Sequence, residues 1–399
     1  MVKREMYLKR IRPFYDSELI KVISGIRRCG KSTLLRQIME EIGERGIEKS
    51  HIIAINFEDF KYRKLFQAEA FYEYVEKRIS EDGKYYLFFD EIQNVHEFEV
   101  VVNSFRATHD VSIFMTGSNS KLLSGELATH LGGRTISFSV LPFCFREFCE
   151  LHPSEGREEQ FLQYIKWGGF PMVGAVDGEE EKEVILSNLY DSVVLKDIIM
   201  RNKIASPQML DRILEYVIAN SSTVISGNNV AAALTDANQK VSAPTVYDYL
   251  RYIEEACIVN HVERYDIRGK KALAFEEKIY VCDLGFFHLK KNRCKDEFGY
   301  LVETIVHNEL LARGYHIYIG KTYRGEIDFI AERNSKRIYI QATYLLADEK
   351  TIEREFGAYA DVADNYPKYV ISMDHITADR EGIIHLNLLD FLLDESLIE

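Results

Sequence analysis

The chain has 399 residues, too many for one hydrophobic core, so two or three domains are expected. Its 46% hydrophobic and 28% charged residues exclude a disordered chain, and a formal net charge of −13 argues against a surface coated for nucleic acid, a local basic patch aside. The start, MVKREMYLKRIRPFYD, lacks the apolar centre of a secretory signal, no apolar run reaches membrane-spanning length, and the six cysteines form no C-x-x-C pair; zinc and disulfide readings are weak, and a reducing cytoplasm is expected.

Residues 1 to 17 read as a polar lead-in to the first strand. A β-rich run, Leu19 to Ile23, then meets a loop from Gly25 to Lys31, and a helix starts at Ser32. The loop fits G-x-x-x-x-G-K-[ST] at Gly25, Gly30, Lys31 and Ser32. Glycines let the backbone curl round a phosphate chain, and the following helix turns its positive end to the anion. Lys31 reaches terminal phosphates, and Ser32 offers a hard oxygen to Mg²⁺. The pattern therefore reads as a nucleoside triphosphate site, and Arg12 to Tyr15 in the lead-in could pass near its base.

A strand is expected at His51 to Asn56 and a helix over 67 to 80. Tyr85-Tyr86-Leu87-Phe88-Phe89-Asp90-Glu91 is an apolar strand ending in two acids, which resembles the Walker B element. In that reading Asp90 holds Mg²⁺ through water and Glu91 polarises the attacking water. A helix from Glu97 to Ala107 and a strand from Val111 to Thr116 follow. Thr116, Ser118 or Asn119 then stands where AAA-type ATPases place a γ-phosphate sensor; the alternative is a polar turn with a helix cap at Ser118 or Ser120. Lys121 to Leu131 reads as a helix. Arg134, before the strand Thr135 to Leu141, is either a surface charge or an arginine finger, acting in cis or on a neighbouring subunit.

Residues 143 to 200 read as helices broken by Lys166 to Pro171, which fits a helical lid by position. Asn188 to Arg201 is patterned as one amphipathic helix, with Lys196 and Arg201 as second-rank finger candidates. From about residue 203, two helices, a third opening at Ser242-Ala243-Pro244, and strands at Ile258 to Arg264 and Lys278 to Cys282 suggest a winged helix-turn-helix. Its third helix carries Arg251 against Asp248, Glu254 and Glu255, so charge does not favour DNA; the wing residues Arg268, Lys270 and Lys271 keep that contact open, and a protein partner is preferred.

A helix from Gly299 to Gly314, strands at 316–319, 325–330 and 337–341 with a turn at 332–335, a helix at 349–359 and a strand at 368–372 resemble the PD-(D/E)xK nuclease fold. Asp328 fills its first acidic place, with Glu303 or Glu326 as helpers. Gln341-Ala342-Thr343 stands where Glu-x-Lys is required, so metal-dependent cleavage is not expected.

Ser24-Gly25-Ile26-Arg27-Arg28-Cys29-Gly30-Lys31-Ser32-Thr33 resembles the G-x-R-R-x-G-K-S-T loop of a prokaryotic AAA-type ATPase group whose C-terminal half is catalogued as domain of unknown function 4143. Phe89 to Gln93, Thr116-Gly117-Ser118, Gly133-Arg134, Leu141-Pro142-Phe143, Arg146-Glu147-Phe148 and Gly168 to Pro171 extend the match. So do Tyr190-Asp191, Asp197, Thr245-Val246, Tyr249-Leu250, Lys278 to Tyr280 and Gly325 to Phe329. The resemblance implies ATP and Mg²⁺ as ligands, with Arg28, Cys29 and Thr33 part of the phosphate loop, and an AAA-type parallel sheet (residues 1–142) followed by a lid (143–202), a winged helix (203–290) and a degenerate nuclease-like α/β domain (291–399). It implies ATP hydrolysis coupled to a C-terminal recognition module. An ATP-regulated nuclease or DNA-processing enzyme, and a nucleotide-gated adaptor with negligible turnover, are the alternatives, and oligomerisation is open. Arg27 and Arg28 are expected to steady the loop against an acid such as Glu58 or to face a partner.

Overall fold

The computed structural model describes the chain except residues 81, 119–130, 132, 154, 205, 237–240, 291–297, 324, 377 and 399. The expected helix from Lys121, Leu131 apart, lies outside the described residues, as do Asn119 and Ser120. The chain forms two compact units: Met1–Leu141 with Glu255–Cys257, and Pro142–Glu254 with Ile258–Glu399.

The first unit holds a five-stranded parallel sheet of β1 (Ile20–Ser24), β2 (Ile52–Asn56), β3 (Tyr85–Asp90), β4 (Val111–Gly117) and β5 (Thr135–Ser139), in the order β2-β3-β4-β1-β5. Every residue of β1, β3 and β4 is buried, which accounts for their continuous apolar runs. Helix α2 (Lys31–Glu44) buries Leu34, Ile38 and Ile42 along one face, and α3 (Ala68–Glu76) and α4 (Phe98–Thr108) bury Phe71, Val75, Val102 and Phe105 in the core beside the strands.

The lead-in is not simply polar. It forms α1 (Glu5–Ile11), which buries Met6, Tyr7, Leu8 and Ile11. Arg12 and Tyr15, expected near a base, instead bind Glu41 at 2.7 and 2.9 Å. Glu41 lies nine residues beyond Ser32 on α2, roughly 14 Å along the helix. That places both partners at the end of α2 remote from the loop.

The second unit begins with short helices, α5 (Phe145–Cys149), α6 (Arg157–Trp167), α7 (Pro171–Gly174) and α8 (Glu179–Ser192). The single helix expected over 188–201 is instead the end of α8 running into a π-helical stretch, Val193–Met200. The wider turn buries Val193, Val194, Asp197 and Ile198 together. Next come α9 (Pro207–Ala219), the short β6 (Thr223–Val224), α10 (Gly227–Asp236), α11 (Ala243–Glu255) and the hairpin β7 (Val259–Asp266) and β8 (Lys271–Val281). Arg268, Lys270 and Lys271 are exposed at its tip.

After α12 (Gly285–Leu289) come α13 (Phe298–Ala312), β9 (His316–Lys321), β10 (Glu326–Arg333), β11 (Lys336–Ala342), α14 (Glu349–Gly357), β12 (Lys368–Ser372), β13 (Ile384–Asn387) and α15 (Leu388–Leu393). The β10–β11 turn is tighter than expected. Only Asn334 and Ser335 remain outside the strands, both at positive φ, as a two-residue hairpin demands. One eight-stranded mixed sheet, β13-β12-β11-β10-β9-β7-β8-β6, contains both the hairpin and the later strands, because β7 and β9 pair in parallel across residue 290. Val302, Ile305, Val306 and Leu310 of α13 share one core with Phe329, Ile338 and Ile340 of the strands.

Candidate functional site

In the first unit the expected residues converge at the carboxyl ends of the strands, where a parallel sheet places its ligand. Two glycines make the loop. Gly25 has φ 151°, and a Cβ there would sit 2.1 Å from the Val140 carbonyl oxygen. Gly30 is left-handed (φ 104°) and opens α2 with no side-chain cap, so the first amides of that helix are left for an anion. Arg28 is also left-handed, at φ 69°. Thr33 follows in the first turn of α2.

Lys31 is buried, and its Nζ donates back to the carbonyls of Gly25 at 2.9 Å and Ile26 at 3.0 Å. Both partners are neutral. The expected Arg27–Glu58 contact is present, with Arg27 Nη1 3.1 Å from Glu58 Oε1.

Asp90, Glu91, Thr116 and Ser32 form one hydrogen-bonded group. Thr116 Oγ1 donates to Asp90 Oδ1 and accepts from the Glu91 N–H at 3.0 Å. Burial pushes the Asp90 carboxyl up, and hydrogen bonds from Thr116 and Ser32 oppose it. Glu91 stands at φ 54°, an uncommon conformation for a residue with a side chain, held by the Thr116 hydroxyl. Its Oε2 accepts from Gln93 Nε2. Ser24 Oγ and Ser118 Oγ, beside this group at the ends of β1 and β4, are buried without a hydrogen-bond partner among the described residues.

These residues fit a nucleotide with a hard cation. Uncapped amides and Lys31 suit phosphate, while the Ser32 hydroxyl and Asp90 carboxylate are hard-oxygen donors. Among the described residues, as the structure stands, no group of three or more His, Cys, Asp or Glu is placed to hold a metal ion.

Two expected members are corrected. Arg134 is exposed and its carbonyl accepts from the Ile20 N–H at 2.9 Å, at the amino end of β1. Because β5 runs parallel to β1, four strand steps, roughly 13 Å, separate that end from the loop at Ser24. Arg134 therefore cannot serve this loop in cis. Cys29 has a buried side chain, its N–H donates to Ile26 O at 3.3 Å and its carbonyl is taken, so it shapes the loop. The second-rank Arg201 pairs with Asp197 at 3.7 Å in the π-helical stretch, and Lys196 is exposed there.

The residue that takes the Cys29 carbonyl was not anticipated. Arg4 is buried, donating from Nη1 to Cys29 O at 2.8 Å and from Nη2 to Leu141 O at 2.9 Å. Gln37 of α2 accepts from the Arg4 N–H at 3.0 Å. Arg4 thus ties the lead-in, the phosphate loop and the segment after β5 together. Gln93, also unforeseen, holds the carboxylate of Glu91.

In the second unit, a cleft of about 930 Å³ contains Glu303, Glu326, Asp328, Gln341 and Thr343, the nuclease-like set. Asp328 Oδ2 accepts from the Ala342 N–H at 2.9 Å, and Gln341 Oε1 accepts from the Asp328 N–H at 2.7 Å. Gln341 Nε2 donates to Glu355 at 2.9 Å. Lys278 donates to Glu303 Oε1 at 2.9 Å and pairs with Glu326. Burial raises Asp328 well above the usual carboxylate range, with Glu303 adding to it and Lys278 opposing.

A family model described as an AAA domain matches residues 17–149, and one described as domain of unknown function 8612 matches residues 158–295. The latter corrects the expectation of domain 4143. An uncharacterised protein of Haemophilus influenzae is 34% identical over 401 residues, covering 98% of this chain and 99% of that protein. An uncharacterised protein of Methanocaldococcus jannaschii is 31% identical over 395 residues, covering 95% of this chain and 86% of that protein. A solved Walker-type ATPase of Pyrococcus abyssi shares the fold, with a TM-score of 0.53 at 15% identity over 73% of this chain and 96% of that one. Among the described residues no helix is long and apolar enough to cross a membrane.

Proposed function

The chain belongs to one family with these Haemophilus and Methanocaldococcus proteins and carries an AAA-type P-loop ATPase domain at residues 17–149; from that premise we propose that it hydrolyses ATP with Mg²⁺ in its first unit and uses the nucleotide state to reposition its second against a protein partner. The observation that carries the proposal is the Thr116 hydroxyl, which joins the Asp90 carboxylate to the Glu91 backbone beside the phosphate loop.

In this reading the loop amides and Lys31 bind the triphosphate. Lys31 exchanges two neutral carbonyls for charged phosphate oxygens, a stronger partnership. Ser32 and Asp90 would hold Mg²⁺, whose chemistry there would be to neutralise charge on the phosphates. Glu91, once free of Gln93, accepts a proton from the attacking water. Thr116 fixes where the Glu91 backbone starts and so where its carboxylate can reach. Arg134 is then either a surface charge or a finger acting on a neighbouring subunit. The described cysteines are all free thiols, which supports a cytoplasmic location as part of the same proposal.

Phosphate release from wild type and Glu91→Gln tests this. We expect slow Mg²⁺-dependent turnover in the wild type and a loss of about 10²–10⁴-fold in the variant, with ATP binding retained. Equal rates in both would remove Glu91 from the mechanism. Binding without turnover in either would leave a nucleotide-gated adaptor.

A further inference from the structure

We propose that Lys278 is the resident cation of the cleft in the second unit, and that its ammonium closes to divalent metal a set of carboxylates that would otherwise take one. The inference stands on this cleft alone and is independent of the nucleotide reading of the first unit.

The argument starts from strand geometry. Lys278 and Tyr280 are two residues apart on β8, so both side chains leave the same face. Both reach one oxygen: Lys278 Nζ lies 2.9 Å and Tyr280 Oη 2.7 Å from Glu303 Oε1. Lys278 also pairs with Oε1 of Glu326, whose Oε2 accepts from Arg264 Nη2 at 2.8 Å. Asp328 lies two residues beyond Glu326 on β10 and has one oxygen on the Ala342 N–H. Three acids from α13 and β10 are thus gathered round one buried ammonium.

A metal-dependent phosphodiester cutter needs the opposite arrangement. Its carboxylates must offer free lone pairs to a hard cation, and its lysine must face water or phosphate. Here the lysine faces the carboxylates, and donors already sit on Glu303 Oε1, Asp328 Oδ2 and both Glu326 oxygens. Gln341, at the second acidic place, is engaged between Asp328 and Glu355. Burial works against the charge on Lys278, yet Glu303, Asp328 and Glu326 outweigh it and raise its pKa. The ammonium therefore stays charged and stays put. Without an added cation, acidic cleft walls repel a nucleic-acid backbone.

The test counts bound Mn²⁺ by electron paramagnetic resonance on full-length, chelator-stripped, nucleotide-free protein, with Asp90→Asn throughout to silence the first unit. We expect this parent to bind no Mn²⁺ below about 1 mM. Lys278→Met should gain one site at least about tenfold tighter, with a melting temperature raised by Mn²⁺. Lys278→Arg should resemble the parent, and Lys278→Met/Asp328→Asn should lose the gained site. A folded Lys278→Met that gains no site overturns the proposal. So does a parent site removed by Glu303→Gln, or Mn²⁺-dependent plasmid cutting abolished by Asp328→Ala, since Lys278 would then be the lysine of a working nuclease. If Lys278→Met does not melt cooperatively, the parent decides: no Mn²⁺ bound and no change on Glu303→Gln supports the resident cation.

Discussion

Lys31 and Lys278 are the same side chain, buried to the same degree, at 4% and 7% exposure, each beside acidic residues at its own sheet. Lys31 is tied to two backbone carbonyls; Lys278 is tied to two carboxylates. A carbonyl is easily outbid by a phosphate oxygen, whereas leaving a buried carboxylate strands a charge. What an amine is tied to, more than how deep it lies, decides whether it is available to a ligand.

Paired alanine substitutions would break or sharpen that contrast. Lys278→Ala should cost about 3–5 kcal/mol of stability, because it takes the ammonium from the buried Glu303, leaving that carboxylate the Tyr280 hydroxyl. The urea midpoint measures it, and nucleotide affinity of the folded fraction should stay within about twofold. Lys31→Ala should do the reverse. It removes only bonds to carbonyls in the free protein, but loses charge-assisted bonds of about 2–3 kcal/mol to the triphosphate, roughly 30- to 150-fold in Kd. If Lys31→Ala destabilises the protein as much as Lys278→Ala, the distinction by partner charge fails.

Lys21 adds a third case. It is fully buried on β1 and among the described residues forms no ion pair; its Nζ donates to Ser17 O at 2.9 Å and Ser112 Oγ at 2.7 Å. Burial, helped by repulsion from Lys84, pulls its pKa down from 10.5 to about 7. Between those two values the unfolded chain binds the proton and the folded chain does not, so stability rises with pH across that window and is flat below it. From pH 7 to 9 the gain should be of the order of 2 kcal/mol, and Lys21→Met should abolish the slope. An unchanged slope in the variant would assign the pH dependence elsewhere.

Much of the first site was legible because its chemistry is local. Gly25, Gly30, Lys31 and Ser32 fall within one short stretch of loop and helix start, and Asp90 and Thr116 close apolar runs that read as buried parallel strands. Arg134 was misplaced for a reason the same logic contains: a residue preceding a parallel strand lies at its amino end, opposite the loop. Arg4 was not legible, since nothing in MVKREMY says that carbonyls 29 and 141 will meet at its guanidinium. Lys278 was read as part of a strand because its partners Glu303 and Glu326 are 25 and 48 positions away, and only the sheet order brings them together. The long sheet itself was read as two domains, since the β7–β9 pairing has no signature in either strand.

The mildest test concerns Arg27, whose guanidinium meets Glu58 at 3.1 Å with the acid about half exposed. Unlike Lys278, this pair keeps one partner in water, and exposed pairs contribute about 0.2–1 kcal/mol. Arg27→Ala and Glu58→Ala should each move the urea midpoint slightly, and the double-mutant coupling should fall in that range and shrink with added salt. The two should separate on nucleotide. If Arg27 only steadies the loop, both variants weaken ATP equally, because each removes the same tether. If Arg27 also reaches phosphate, Arg27→Ala weakens ATP more, and Glu58→Ala, which removes a competing carboxylate, strengthens it. Either outcome extends the rule drawn from the two lysines, since it reports whether a carboxylate partner in water holds a cation as firmly as one in the protein interior.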